Sequence, residues 1–276
     1  MNSLNNLKDS KNKHIYGFSS YGVKIGLIAS SRKILNEMKE AVNYIPLNPS
    51  EIKFEEAEFC FSIDFSNGQY LLLKGQKELS LSDGKFHTFK YLQNEIRITV
   101  AEFAVSKVFI HAGAVSIDNI GIIFPAKSFK GKSTLTAELV KAGAVYYSDD
   151  YTILDENAYL HPFPRRLSMR GITGEYSQVD VPVEDFGGVI GVEPVEIKLI
   201  VLTEFEEGYQ WSPEIITPGN AVLELLPHTI PIRFNPKFTL EVLHKLVNRA
   251  IITKSKRGDS KEFIPLLLKY LEIIDF

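Results

Sequence analysis

The chain is poor in cysteine. Cys60 is the only one among 276 residues, which excludes an intrachain disulfide and any multi-thiolate metal site. It sits in an alternating apolar stretch, so it reads as a buried structural thiol rather than a nucleophile. No run approaches the ~18 apolar residues of a membrane-spanning helix. The opening MNSLNNLKDSKNKH has no apolar core and does not read as a signal peptide. Neither sign of charge dominates: 31 Lys and Arg against 34 Asp and Glu leave a net charge of −3, so no basic field argues for nucleic acid or an anionic membrane. His14, His87, His161, His228 and His244 show no metal-ligand spacing. These absences leave a cytoplasmic globular protein as the expectation. Its apolar content of 45% and charged content of 24% are ordinary for that class.

What is present centres on GIIFPAKSFKGKSTLTAELVKAGAVYYSDD, residues 121–150. Ile122, Ile123 and Phe124 form a short apolar run that reads as a buried strand ended by Pro125. A loop follows: Ala126, Lys127, Ser128, Phe129 and Lys130. Gly131, Lys132, Ser133 and Thr134 then open a run of helix formers that Gly143 closes. Strand, loop, Gly-Lys-Ser and helix together are the context of a phosphate-binding loop. Backbone N–H groups of the loop and helix start point at phosphate oxygens. Lys132 would supply a point charge to the outer phosphates, and the Ser133 hydroxyl would take a Mg²⁺ position. The pattern usually begins with Gly, where this chain has Ala126.

Residues 1–14 are polar and read as a disordered tail. Residues 15–91 read as a small α+β unit. It starts with an extended stretch over 15–27 and a helix capped by Ser30 or Ser31, with Ile34, Leu35, Met38 and Val42 on one face. Phe59, Phe61, Ile63 and Phe65 alternate up to Asn67-Gly68, a strong hairpin signal. A second hairpin is expected at Asp83-Gly84. From Leu92, the spacing of Ile96, Val100 and Phe103 predicts a helix that joins two parts, and residues 92–276 read as the domain that carries the phosphate-binding P-loop. Strands are expected over 108–117, 120–124 and 145–147, a hairpin around Asp155-Glu156-Asn157, and a central strand over 197–202. Helices are expected over 220–226, 236–250 and 260–274, the last kinked or delayed by Pro265.

Asp149 and Asp150 follow a strand just after the loop's helix, so they reach the sheet edge where ligands of α/β sheets bind. One carboxylate could hold Mg²⁺ and the other accept a proton from an attacking hydroxyl. His111 lies in HAGAV, where Ala112 and Gly113 allow close backbone approach. Arg165, Arg166 and Arg170 follow Asp150 closely, and Arg suits phosphate oxygens, but arginines merely solvated on a hairpin would look the same in sequence. Arg257-Gly258-Asp259 reads as a turn and helix cap.

With these motifs in order, the chain resembles the catalytic domain of HPr kinase/phosphorylase, a bacterial serine kinase family with a His-Gly motif, a phosphate loop and an Asp-Asp pair. MRGITG at 169–174, FGGVIGVEPVEIKLIVL and TIPIRFNPKFTLEVL extend the likeness over residues 111–249. The resemblance implies an α/β P-loop kinase core akin to phosphoenolpyruvate carboxykinase, using ATP and Mg²⁺. It implies catalytic roles for His111, Lys132, Asp150 and the signature Arg170, and a metal role for Ser133. Ala126 and Phe129 stand at two of the family's loop glycines. Ser168 stands at its metal-binding Glu, which leaves Asp149 as the substitute ligand. Only Arg233 remains of two later arginines tied to the reverse reaction. Residues before about 92 do not resemble the family's own N-terminal domain. HAGAV, SDDY, HPFPRRLSMR and LLPHT resemble a shorter branch that phosphorylates the C-terminal serine of lasso-type precursor peptides.

The acceptor is expected to be a serine-bearing peptide or small protein. A kinase of a small hydroxylated metabolite and a non-catalytic nucleotide-binding regulator stay open beside it, and so does assembly into a homo-oligomer.

Overall fold

The computed structural model describes residues 13–126, 131–170 and 178–274, with the side chains of Arg170 and Gln178 outside that description. The chain divides into two compact units, Met1–Ser106 and Lys107–Phe276.

The first unit holds β1 (His14–Ser20), β2 (Val23–Ala29), α1 (Arg32–Asn43), β3 (Ser50–Ile52), β4 (Phe59–Ser66), β5 (Gln69–Lys74), β6 (Lys77–Ser82) and α2 (Lys85–Phe103). Its sheet runs β3-β1-β2-β4-β5-β6, antiparallel except for the parallel β2–β4 pair. The Ser31 hydroxyl accepts from the Ile34 amide and starts α1, which buries Ile34, Leu35, Met38 and Val42. Asn67 and Gly68 both take positive φ, 52° and 79°, as a tight hairpin between right-twisted strands requires.

Two expectations need correction here. The second hairpin turns at Gly75, with φ of 61°, not at Asp83-Gly84. Gly84 is instead the N-cap of α2. That helix begins at Lys85 rather than near Leu92, and it lies wholly in the first unit. The expected break at 91/92 would cut it, and the division falls at Ser106–Lys107. Its first turns, KFHTFKY, carry no clean apolar period, which hid its start. Cys60 is buried, and burial pushes its thiol upward in pKa.

The second unit holds β7 (Val108–Ile117), β8 (Ile120–Pro125), α3 (Lys132–Lys141), β9 (Val145–Ser148), β10 (Tyr151–Leu154), β11 (Tyr159–His161), β12 (Leu167–Arg170), β13 (Gln178–Val181), β14 (Val195–Phe205), β15 (Glu214–Ile215), α4 (Pro218–Leu225), α5 (Pro236–Arg249), β16 (Ile251–Arg257) and α6 (Ser260–Ile273). Its main sheet runs β11-β10-β7-β8-β14-β16-β15, with β9 alongside β7. β11 also pairs with β14, which closes a circuit through β10, β7 and β8. β8, β14 and β16 are parallel.

Alternation along the strands sends side chains to two apolar layers. Ile110, Ala112, Ala114, Ile123 and Ile200 pack with α4 and α5. Val115, Ile122, Phe124, Leu199 and Val201 pack with α3 and α6. The result is a mixed sheet between two helical layers, so its parallel centre is buried on both faces. Close packing at β7 depends on Gly113, where a Cβ would stand 2.8 Å from Thr136 Oγ1 of α3.

β16, and the β12–β13 hairpin, were not expected. The polar run Lys254-Ser255-Lys256 masks the first, and the mixed SMR and QVD sequences mask the second. α6 begins at Ser260 behind the Asp259 cap and continues across Pro265. Among the described residues, no helix is long and apolar enough to cross a membrane.

Candidate active site

β7, β8, β9 and α3 bring five of the expected residues to one edge of the sheet. Antiparallel pairing sets Ala112 of β7 against Pro125, so His111 stands where β8 leaves the sheet. β9 runs the other side of β7 and ends opposite Ala114, which delivers Asp149 and Asp150 to the same edge. Ser148 Oγ accepts from the amides of Asp150 and Tyr151, both at 3.2 Å, and fixes that turn.

Gly131 caps α3 in the left-handed region, with φ of 81°, and Lys132 is the first residue of the helix. The Lys132 side chain is only 9% exposed. It donates to Ala126 O at 2.8 Å and approaches His111 Nε2 at 3.1 Å. Burial lowers its pKa, while Asp149 and Asp150 oppose that shift.

An ammonium can only donate, so His111 Nε2 is the acceptor and its proton sits on Nδ1. His111 Nδ1 is 3.0 Å from the Asp150 carbonyl oxygen, which completes that assignment. Burial and the Lys132 charge lower the histidine to about 4, against an opposing pull from Asp150. His111 is therefore neutral near pH 7.

The two carboxylates have separate surroundings. Asp150 Oδ1 is 3.7 Å from His111 Nδ1, and Oδ2 is 3.4 Å from Arg165 Nη1. Asp149 is 6% exposed and faces α3. The Ser133 hydroxyl hydrogen-bonds its carboxylate, and the Ser168 amide donates to Oδ2 at 3.3 Å. Burial nevertheless raises Asp149 to about 7. Its buried Oδ1 has no hydrogen-bond partner among the described residues.

That orphan oxygen beside a serine hydroxyl fits a hard divalent cation, which takes oxygen ligands. Mg²⁺ needs only one or two protein carboxylates when phosphates complete its shell. A self-sufficient metal cage is not expected, and no cluster of three or more His, Cys, Asp or Glu able to hold a metal occurs among the described residues.

The other expected residues divide. Ala126 contributes its carbonyl, and Thr134 is exposed on α3. Lys127, Ser128, Phe129 and Lys130 lie outside the described residues, as does the side chain of Arg170, although its backbone ends β12. Of the three arginines weighed from sequence, Arg165 reaches Asp150.

Three site neighbours had no role assigned from sequence. Asp180 of β13 accepts from Ser168 Oγ at 3.1 Å, so Ser168 touches both this carboxylate and Asp149. His228 lies close enough to His111 for its charge to lower that histidine's pKa. Arg257, 3% exposed, reaches the Gly131 carbonyl at 3.5 Å. The turn-like Arg-Gly-Asp string concealed it. Its only sequence signal is its place after the apolar Ile251-Ile252, the start of a strand.

No family model matches this chain, and no curated protein does. Among solved structures, the Hpr(Ser) kinase/phosphatase from Coxiella burnetii matches at 20% identity over 59% of this chain and 92% of that one, with a TM-score of 0.33. Superposition that loose carries no argument about chemistry.

Proposed function

We propose that the chain is an ATP-dependent kinase that transfers the γ-phosphoryl group to a serine hydroxyl of a peptide or small protein. The observation that carries this reading is the meeting of Lys132, His111, Asp149 and Asp150 at the N-terminus of α3. The helix start and Lys132 bind phosphate oxygens. Asp149 and Ser133 would hold Mg²⁺, with Asp180 nearby as a further carboxylate. Bound there, the ion would neutralise charge developing on the β- and γ-phosphates.

Asp150 acts as general base. The acceptor hydroxyl forms a bond to the γ-phosphorus, its proton passes to the Asp150 carboxylate, and the bond to the β,γ-bridging oxygen breaks. ADP leaves with that electron pair. His111 and Arg165 orient Asp150, and Lys132 holds the phosphates as charge moves onto the leaving group. We assign Arg170 to the transferred phosphoryl group, as the family resemblance implies.

The likeness of HAGAV, SDDY, HPFPRRLSMR and LLPHT favours the C-terminal serine of a lasso-type precursor as acceptor. We assign acceptor recognition to the first unit, which carries no phosphate-binding motif. The test incubates the protein with ATP, Mg²⁺ and serine-ended peptides. ADP release coupled to a phosphorylated serine, lost when that serine is replaced by alanine, is the expected result. ATP turnover indifferent to every hydroxyl acceptor would overturn the reading.

A further inference from the structure

The far end of the same sheet carries a second feature. β10 pairs Tyr151 with His111 at the catalytic edge and Leu154 with Val108 at its other end, about 10 Å further along the strand. Beyond Leu154 the chain turns back into β11. Between that turn and the last turns of α5 lies a cleft of about 700 Å³, lined by Asn157, Tyr159, His244, Lys245, Asn248 and Arg249. The turn is a fixed wall. Asp155 Oδ1 accepts from the amides of Asn157 and Tyr159 at 2.9 and 3.0 Å, and Ala158 takes a φ of 59° with its side chain buried in the core.

The lining is rich in donors, and none of the described residues in it is a carboxylate. Lys245 donates to the Glu156 carbonyl at 2.8 Å and forms no ion pair among the described residues. Arg249 donates through Nη2 to the Asn157 carbonyl, and its guanidinium lies 5.4 Å from the centre of the Tyr159 ring. Carbonyls are dipoles and cancel neither charge. The carboxylate beside Arg249 is that of Glu196, 3.8 Å away and shared with Lys198 at 3.1 Å. Glu156 and Glu241, the latter one turn before Lys245 on α5, stand outside the lining. Arg249 also offsets the partial negative charge at the end of α5. The cleft is thus a local positive surface on a chain whose net charge is −3.

We propose that this cleft docks an acidic segment of the acceptor peptide, upstream of the serine that is phosphorylated; that the occupant is the acceptor rests on the kinase reading above. Carboxylates of the segment accept from Lys245 and from the fork of Arg249. The side-chain amides of Asn157 and Asn248 both donate and accept, which suits a peptide backbone. The length of β10 sets the reach. A spacer of about two residues spans at most ~7 Å and cannot join the cleft to the catalytic edge, whereas about eight residues span up to ~27 Å. The cleft is open and remote from the reacting atoms, so it contributes to capture of the acceptor and not to the chemical step. It is an anchor additional to the recognition assigned to the first unit.

The probes are fluorescent serine-ended peptides with a block of glutamates about eight residues before the serine, and the same peptides with glutamines in the block. Binding to the whole protein is followed by anisotropy without ATP. The wild type should favour the glutamate peptide about three- to tenfold, the strength of a few exposed ion pairs, and about 1 M salt should remove the preference. Lys245→Glu and His244→Glu, both at exposed positions, should each shrink it, with the melting curve unchanged. In steady-state assays the glutamate block should lower KM only with the long spacer, leaving kcat unaltered. Equal binding of the two peptides by the wild type, or a preference that survives both substitutions, would overturn the docking site. A KM lowered as much by a block about two residues from the serine would overturn the reach from this cleft. If no peptide is phosphorylated while the preference holds and shrinks with the substitutions, the kinase reading fails and the docking site stands.

Discussion

The ammonium of Lys132 and the imidazole of His111 face each other across 3.1 Å, a cation donating to a ring nitrogen that must be unprotonated to receive it. A second proton on His111 would set two cations against each other in a poorly solvated place. Burial first, and the Lys132 charge second, push the histidine down to about 4, and its Nδ1–H is committed to the Asp150 carbonyl.

Lys132→Ala tests both halves of that contact. Loss of the charge should weaken ATP binding and abolish transfer. It should also raise the His111 midpoint from about 4 towards its usual value, followed by the ring C–H resonances in a pH titration. Unchanged ATP affinity would remove the phosphate role, and an unmoved midpoint would remove the coupling.

The same shift has a consequence for acid stability. His111 is depressed in the folded state, so its contribution is present above the unfolded value of 6.5 and is lost as the pH falls from there through about 4. The size is on the order of 3 kcal/mol. His111→Gln should therefore show a shallower loss of stability over that window than the wild type in denaturant titrations at stepped pH. Parallel curves would show that His111 is not the residue responsible.

Arg257 offers a structural prediction. Arg257→Lys keeps the charge but loses the planar fork that serves Gly258, Ser260 and Gly131 together. Gly131 O keeps the Leu135 amide as a donor, so the buried Gly258 carbonyl is the one left unsatisfied, at a cost of about 1–3 kcal/mol; the melting temperature should fall by a few degrees and ATP affinity should fall with it. An unchanged melting curve with unchanged ATP binding would make Arg257 a bystander.

Much of this edge was legible because its signals are local. The apolar run into Pro125, the Gly131-Lys132-Ser133 helix start and the Asp149-Asp150 pair after a short strand all announce themselves within a few residues. Ser31 and Asn67-Gly68 do the same for the first unit, through a cap and a turn that few residues can make. The remainder depends on pairing between distant segments. Asp180 meets Ser168 only because β12 and β13 form a hairpin whose sequence has no apolar alternation. Arg257 meets Gly131 only because β16 lies two strands from β8, and nothing in Lys254-Ser255-Lys256-Arg257 marks a strand. Trp211 looks like an isolated loop aromatic until α6 is packed against it.

The two carboxylates give the sharpest test of the chemistry. Asp150 stands by His111 and Arg165, and Asp149 by Ser133 with one oxygen unpartnered. If Asp150 removes the acceptor proton, Asp150→Asn keeps the shape and loses the base. Turnover should then fall by about 10²–10⁴-fold, the usual range for general-base loss, with ATP·Mg²⁺ affinity close to wild type. The transition state of phosphoryl transfer is loose, so base removal should harm the reaction less than loss of the charge-neutralising ion does. Asp149→Asn should instead weaken nucleotide binding in Mg²⁺ while leaving binding without Mg²⁺ nearly unchanged. Matched calorimetric titrations and single-turnover assays on the two variants separate these outcomes. Should Asp150→Asn lose Mg²⁺-dependent binding while Asp149→Asn loses only turnover, the roles are exchanged, and the unpartnered oxygen of Asp149 marks the proton acceptor rather than the metal ligand.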